Sequence, residues 1–148
     1  MRYKLLDDSE KKTYALIFEP GDNVVKLLKD FAEELHLKAS RFTAIGAFSE
    51  GTLGYFDFNI KDYIKIPVNE QVEVLSFLGD IALYEEKPAL HVHTVLGKRD
   101  GAAIGGHLMA ATVHPTREVI LEEAPAYLQK KLDKETGLTL INIDSTNG

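Results

Sequence analysis

The sequence predicts an α+β domain built on a mainly antiparallel or mixed sheet of about seven to eight strands. Short runs of β-branched and aromatic residues recur along most of the chain. Polar turns separate these runs more often than helices do, and only one segment carries a strong helical period. A length of 148 residues suits one domain able to bury roughly two thirds of its unfolded surface. No repeat, low-complexity linker or break in composition divides the chain. Residues 1–148 therefore read as a single domain, with a core from about 13 to 143 and a frayed tail at 144–148.

After a charged start, "TYALIFEPGD" reads as a strand entering a turn at Pro20 and Gly21, with Asp22 as N-cap of the helix that follows. Val24, Leu27, Leu28, Phe31, Ala32 and Leu35 recur at three- and four-residue spacing, laying one apolar stripe along about three helical turns. The charged Lys26, Lys29, Asp30, Glu33 and Glu34 fall mostly on the other, solvated face. "RFTAIGAFSEGTLGYFDF" holds two strand-like runs divided by "SEG". "DYIKI" and "QVEVLSFLGDIALYEE" continue the strand signal, Val72 and Val74 alternating about Glu73, before "EEKP" interrupts it. Two further runs, "ALHVHTVL" and "AAIGGHLMAATV", flank the polar turn "GKRDG". "REVILEEA" adds a strand, "AYLQKKLDKETG" a short helix ended by Gly137, and "LTLINI" a last strand.

With no cysteine, disulfides, thiolate metal sites, iron–sulfur clusters and cysteine nucleophiles are all excluded. Any metal must use histidine, carboxylate or carbonyl ligands. A formal charge of −6 argues against a generic phosphate-binding surface, since nonspecific nucleic-acid affinity comes from lysine and arginine displacing counterions. No apolar run approaches the ~20 residues that span a bilayer, and the opening "MRYKLLDDSEKK" has no signal-peptide apolar segment, so a cytoplasmic location is expected.

Three of the five histidines fall between positions 91 and 107. His91 and His93, two residues apart in a strand, share one face about 6–7 Å apart. A hairpin centred on Arg99 sets His107 directly across from His91, and Gly105 across from His93, leaving space beside it. All three imidazoles then share a face, close enough to meet one ion at the usual zinc–nitrogen distance of about 2.0–2.1 Å. A one-residue slip would send His107 to the opposite face. Three neutral nitrogen donors leave a fourth position for water or a substrate, as in an open zinc site. The alternative is a set of hydrogen-bonded sheet histidines. Asp57 and Glu73 are candidate acceptors to orient the imidazoles, though no spacing places them there. His36 reads as a cap near the helix end and His114, before Pro115, as a strand-end residue. Glu85–Glu86 and Glu122–Glu123 read as solvated pairs on opposite faces of extended chain, and Lys98, Arg99 and Asp100 as turn residues. No base, substrate pocket or oxyanion donor is identified, so no catalytic residue is assigned.

The ordered set "AIGAFSEGTLGYFD", "VEVLSFLGDIAL", "LHVHTVL", "GAAIGGHL" and "ETGLTL" resembles the plants-and-prokaryotes conserved (PPC) domain, whose plant members carry AT-hooks. The resemblance runs from about "YALIFEPGD" to "ETGLTL", nearly the whole chain. It implies a mostly antiparallel sheet flanked by helices, assembly as a homotrimer, and a metal, zinc above all, on His91, His93 and His107. In plant relatives the DNA contact is attributed to a separate AT-hook built around Arg-Gly-Arg-Pro, a tetrapeptide this sequence lacks. His114 departs from the small polar residue expected before the proline. The leading expectation is a stand-alone trimer whose three-histidine zinc or other divalent-metal site accepts a small-molecule ligand. A DNA-associated regulatory or scaffold protein and a metal-dependent hydrolase are the alternatives.

Overall fold

The structure is a computed structural model that describes residues 1–7 and 10–145. In chain order the elements are β1 (Arg2–Asp7), β2 (Lys12–Phe18), α1 (Val24–Glu34), β3 (Ala39–Asp57), β4 (Asp62–Val68), β5 (Val72–Tyr84), β6 (Lys87–Gly97), β7 (Ala103–Glu123), β8 (Lys130–Leu132) and β9 (Thr139–Ile141), followed by a 3-10 turn at Ile143–Ser145. Seven strands form one sheet in the order β1-β2-β7-β6-β5-β3-β4, every pairing antiparallel, and β8 and β9 form a separate hairpin. The mainly antiparallel sheet matches expectation. The flanking helices do not: α1 is the one α-helix among the described residues.

Two long strands organise the sheet. β3 and β7 run antiparallel along most of their lengths, and the pairings β7–β6, β6–β5, β5–β3 and β3–β7 close a ring. The two runs expected on either side of "SEG" are one strand, as are those on either side of Pro115. Their ladder shifts register at Gly46/Phe48, Phe48/Glu50 and Thr52/Leu53, irregularities that bend a strand pair without ending it. Residues 114–116 lack partners in β3, so Pro115, whose preceding peptide is cis, sits where no ladder donor is required. At Gly46, φ is 134° and an added Cβ would lie 2.5 Å from the Thr116 carbonyl oxygen, so only glycine lets β3 cross β7 here.

Inside the ring lie Phe48, Leu53, Phe77, Ile81, Leu96, Leu108 and Val113, all nearly or fully buried, with Leu16 and Phe18 of β2 in the same core. α1 covers this core through Val24, Leu28, Phe31 and Ala32, the stripe its periodicity predicts, and lies against β6 and β7. Its N-cap is Asn23, whose side chain accepts from the Lys26 amide at 3.0 Å. Asp22, the expected cap, instead accepts from the Glu19 amide at 3.0 Å and pairs with the Met1 ammonium at 3.0 Å.

β1 begins before the expected core. It is an edge strand whose described side chains after Met1 are exposed, so charge hides its strand character. The short helix expected at "AYLQKKLDKETG" is absent. β8 and β9 pair there around a turn in which the Asp133 carboxylate accepts from the Thr136 amide and hydroxyl, and Gly137 takes φ 79°. Of the tail expected to fray, Asp144 and Ser145 belong to the 3-10 turn, and 146–148 lie outside the described residues. No helix of the described residues is long and apolar enough to cross a membrane.

Candidate metal centre

His91 and His93 stand on β6 and His107 on β7, all on one face. The hairpin between them is not centred on Arg99. Its loop spans Lys98 to Ala102, closed by Lys98 N–H to the Ala102 carbonyl (2.8 Å), with Gly101 in the left-handed region at φ 84°. Gly97 therefore pairs with Ala103, Val95 with Gly105, and His93 with His107. The expected pairing of His91 with His107, and the space expected beside His93 at Gly105, are both corrected. The register differs by two residues, which keeps every side chain on its face, so the triangle survives. The ring centroids are 5.0 Å (91–93), 5.3 Å (91–107) and 5.6 Å (93–107) apart. One nitrogen from each ring lies within 4.8 Å of the others.

Across from His91, on β5, is Asp80. Its carboxylate lies 3.6 Å from His91 Nδ1 and 2.6 Å from Nζ of Lys130, whose side chain is only 3% exposed. Burial would raise the Asp80 pKa, but the contacts of His91 and Lys130 outweigh it and hold the carboxyl below its ordinary value. Lys130 also donates to the Ala89 carbonyl at 3.2 Å. Asp80 thus occupies the place considered for Asp57 and Glu73. Asp57 accepts from the Asn59 amide at the β3–β4 turn, and Glu73 pairs with Gly97 at the far end of β6. No local spacing signals Asp80, because strand pairing alone brings it to His91.

The third wall is aromatic. The Tyr63 ring lies 4.8 Å from that of His107, and an added Cβ on Gly106 would stand 2.8 Å from the Gly54 carbonyl oxygen, so the glycine lets β7 lie close to β3 beside the site. Burial, then the charges of His91, His93 and Lys130, push the His107 pKa down to about 4. Burial and His91 lower that of His93. Both rings are therefore neutral near pH 7, the form that ligates a metal. His107 Nδ1 is buried without a hydrogen-bond partner among the described residues, a costly arrangement that an ion would relieve. The chemistry of the donor set and this unpartnered nitrogen fit a divalent metal.

The remaining candidates stand elsewhere. His36 is exposed at φ 52° just past the helix C-cap, and His114 is exposed before Pro115. Glu85 and Glu86 are not extended; both have positive φ and form the two-residue turn between β5 and β6. Glu123 is anchored, not merely solvated, accepting from the amides of Lys38 and Ala39 and from the Ser40 hydroxyl, while Glu122 on the other face pairs with Lys11 and Arg41.

The family model for the Plants and Prokaryotes Conserved (PCC) domain matches residues 7–125. The chain belongs to this family. Among solved structures, a metal-containing protein from Archaeoglobus fulgidus is 31% identical over 96% of this PCC chain and 99% of its own, with a TM-score of 0.81. A plant- and prokaryote-conserved protein from Pyrococcus horikoshii is 27% identical, covering 95% of this chain and 94% of its own at a TM-score of 0.82. A candidate DNA-binding protein from Bacteroides thetaiotaomicron is 25% identical, covering 96% and 98%, at a TM-score of 0.86. Among curated proteins none matches the chain.

Proposed function

We propose that this PCC domain binds one divalent metal ion, zinc by preference, through His91, His93 and His107, and keeps a fourth coordination position open for a small ligand. The observation that carries the reading is the convergence of three imidazole nitrogens within 4.8 Å of one another. The description of the Archaeoglobus relative as metal-containing supports it. Nitrogen donors in a cysteine-free chain suit zinc, which would supply Lewis acidity at the open position. Asp80 and Lys130 would hold His91 in orientation, as partners of ligating histidines commonly do. Among the described residues no carboxylate lines the cavity beside the histidines, and no reaction is assigned.

A homotrimer in the cytoplasm is the proposed setting. The outer face of β3, β5 and β7 supports assembly: Ile45, Leu75 and Leu78 are 67%, 63% and 56% exposed, and Thr43 sits between Leu78 and Ile120. The test is metal content after chelator-free purification from zinc-replete cells. One zinc per chain is expected, lost in His91→Ala and His107→Ala; a folded protein without zinc refutes the reading. DNA association is a second reading, favoured by the description of the Bacteroides relative. At a net charge of −6 it would run through a partner, and salt-sensitive binding of the purified chain to AT-rich duplex would instead show direct contact.

A further inference from the structure

We propose that the cavity beside the three histidines takes a small carboxylic acid with a ring-sized apolar body, its carboxylate at the metal and its body against the aromatic wall of the β3–β4 hairpin. The inference rests on the metal reading and adds the chemistry of the ligand. Charge decides the head group. Three neutral imidazoles leave the two positive charges of a divalent ion uncompensated, and Asp80 and Lys130 cancel each other at 2.6 Å. None of the described residues lining the cavity is aspartate or glutamate, so the site favours a ligand that brings the negative charge with it.

Shape decides the body. The cavity measures about 640 Å³, a size that suits an organic ligand and far exceeds the need of acetate or water. Its histidine end continues into rings: Tyr63 lies 4.8 Å from His107, Phe56 5.1 Å from Tyr63, and Phe58 5.4 Å from Phe56. Phe58, in the lining, is 67% exposed, and Phe56 beside it is half-buried. Large rings open to water beside an anion-seeking site gain most from a ligand that is apolar at one end and charged at the other.

The test is calorimetric titration of the zinc-loaded full chain with 3-phenylpropionate, acetate and 3-phenylpropanol. The aryl acid should bind at least about tenfold more tightly than either fragment, the gain expected from burying a ring. Phe58→Ala and Phe56→Ala, neither of them in the buried core, should each reduce that preference while leaving zinc content and acetate binding unchanged. Equal binding of acetate and 3-phenylpropionate by the zinc-loaded chain, or a preference unmoved by both variants, overturns this inference and leaves the metal reading intact. Failure to take up zinc overturns the metal reading, and this inference falls with it.

Discussion

Asp80 is where stability and metal binding part company. Its carboxylate serves two groups, His91 at 3.6 Å and Lys130 at 2.6 Å, and the Lys130 side chain is 3% exposed. Asp80→Asn keeps the shape but removes the charge, stranding a buried ammonium. Breaking a fully buried pair costs about 3–5 kcal/mol; because the Asp80 side chain is 32% exposed, water can reach it, and the expected loss falls to about 2 kcal/mol. His91 would also lose its orienting carboxylate, which typically lowers metal affinity by about 10–100-fold. Adding Lys130→Met removes the stranded charge and should recover most of the stability, but not the affinity, since His91 still faces an amide. Urea unfolding of the metal-free proteins measures the first effect and competition with a zinc chelator the second. The reasoning is refuted if Asp80→Asn matches the parent in both, or if the double variant recovers zinc affinity together with stability.

Arg117 is fully buried between Phe48 and Phe77, its guanidinium carbon 4.6 and 3.8 Å from their ring centroids, with no hydrogen-bond partner among the described residues. Burial pushes its pKa down to about 9, and the rings return only part of the cost of the charge. Arg117→Met should stabilise the fold by about 1–3 kcal/mol, read as a higher urea midpoint at unchanged slope; a clear loss would contradict this. Gly79→Ala should cost about 2 kcal/mol or more, because the new Cβ would stand 2.1 Å from the Phe42 ring and 2.6 Å from the His91 carbonyl oxygen; a parent-like melting temperature would contradict it. Leu78→Lys, on the exposed face proposed for assembly, should leave a folded monomer by light scattering, whereas an unchanged mass would remove that face from the interface.

The helix was legible because its signal is local: a stripe at helical spacing decides its face wherever the helix packs. The cap was off by one because aspartate and asparagine stand side by side and both are good N-caps. The histidine triangle was legible for a different reason. Side chains in strands repeat every two residues, so a hairpin wrong by two still places His91, His93 and His107 on one face. What fails in such a case is the partner assignment, because the loop enlists Ala102 through a backbone hydrogen bond that composition does not announce. Asp80 and Tyr63 were out of reach, since β5 and β4 come to the site only through long-range pairing. The missing second helix has a tertiary cause as well. Its helix-forming residues include Lys130, which is drawn into a strand where its ammonium meets Asp80 and the Ala89 carbonyl.

The central claim is that three imidazoles hold one metal ion, and X-ray absorption at the zinc edge of the purified, zinc-loaded protein tests it most directly. About three imidazole nitrogens at roughly 2.0–2.1 Å are expected, with the bound-zinc signal itself lost in His107→Ala. A shell of oxygen donors without imidazole scattering, or a spectrum unchanged by His107→Ala, would contradict it.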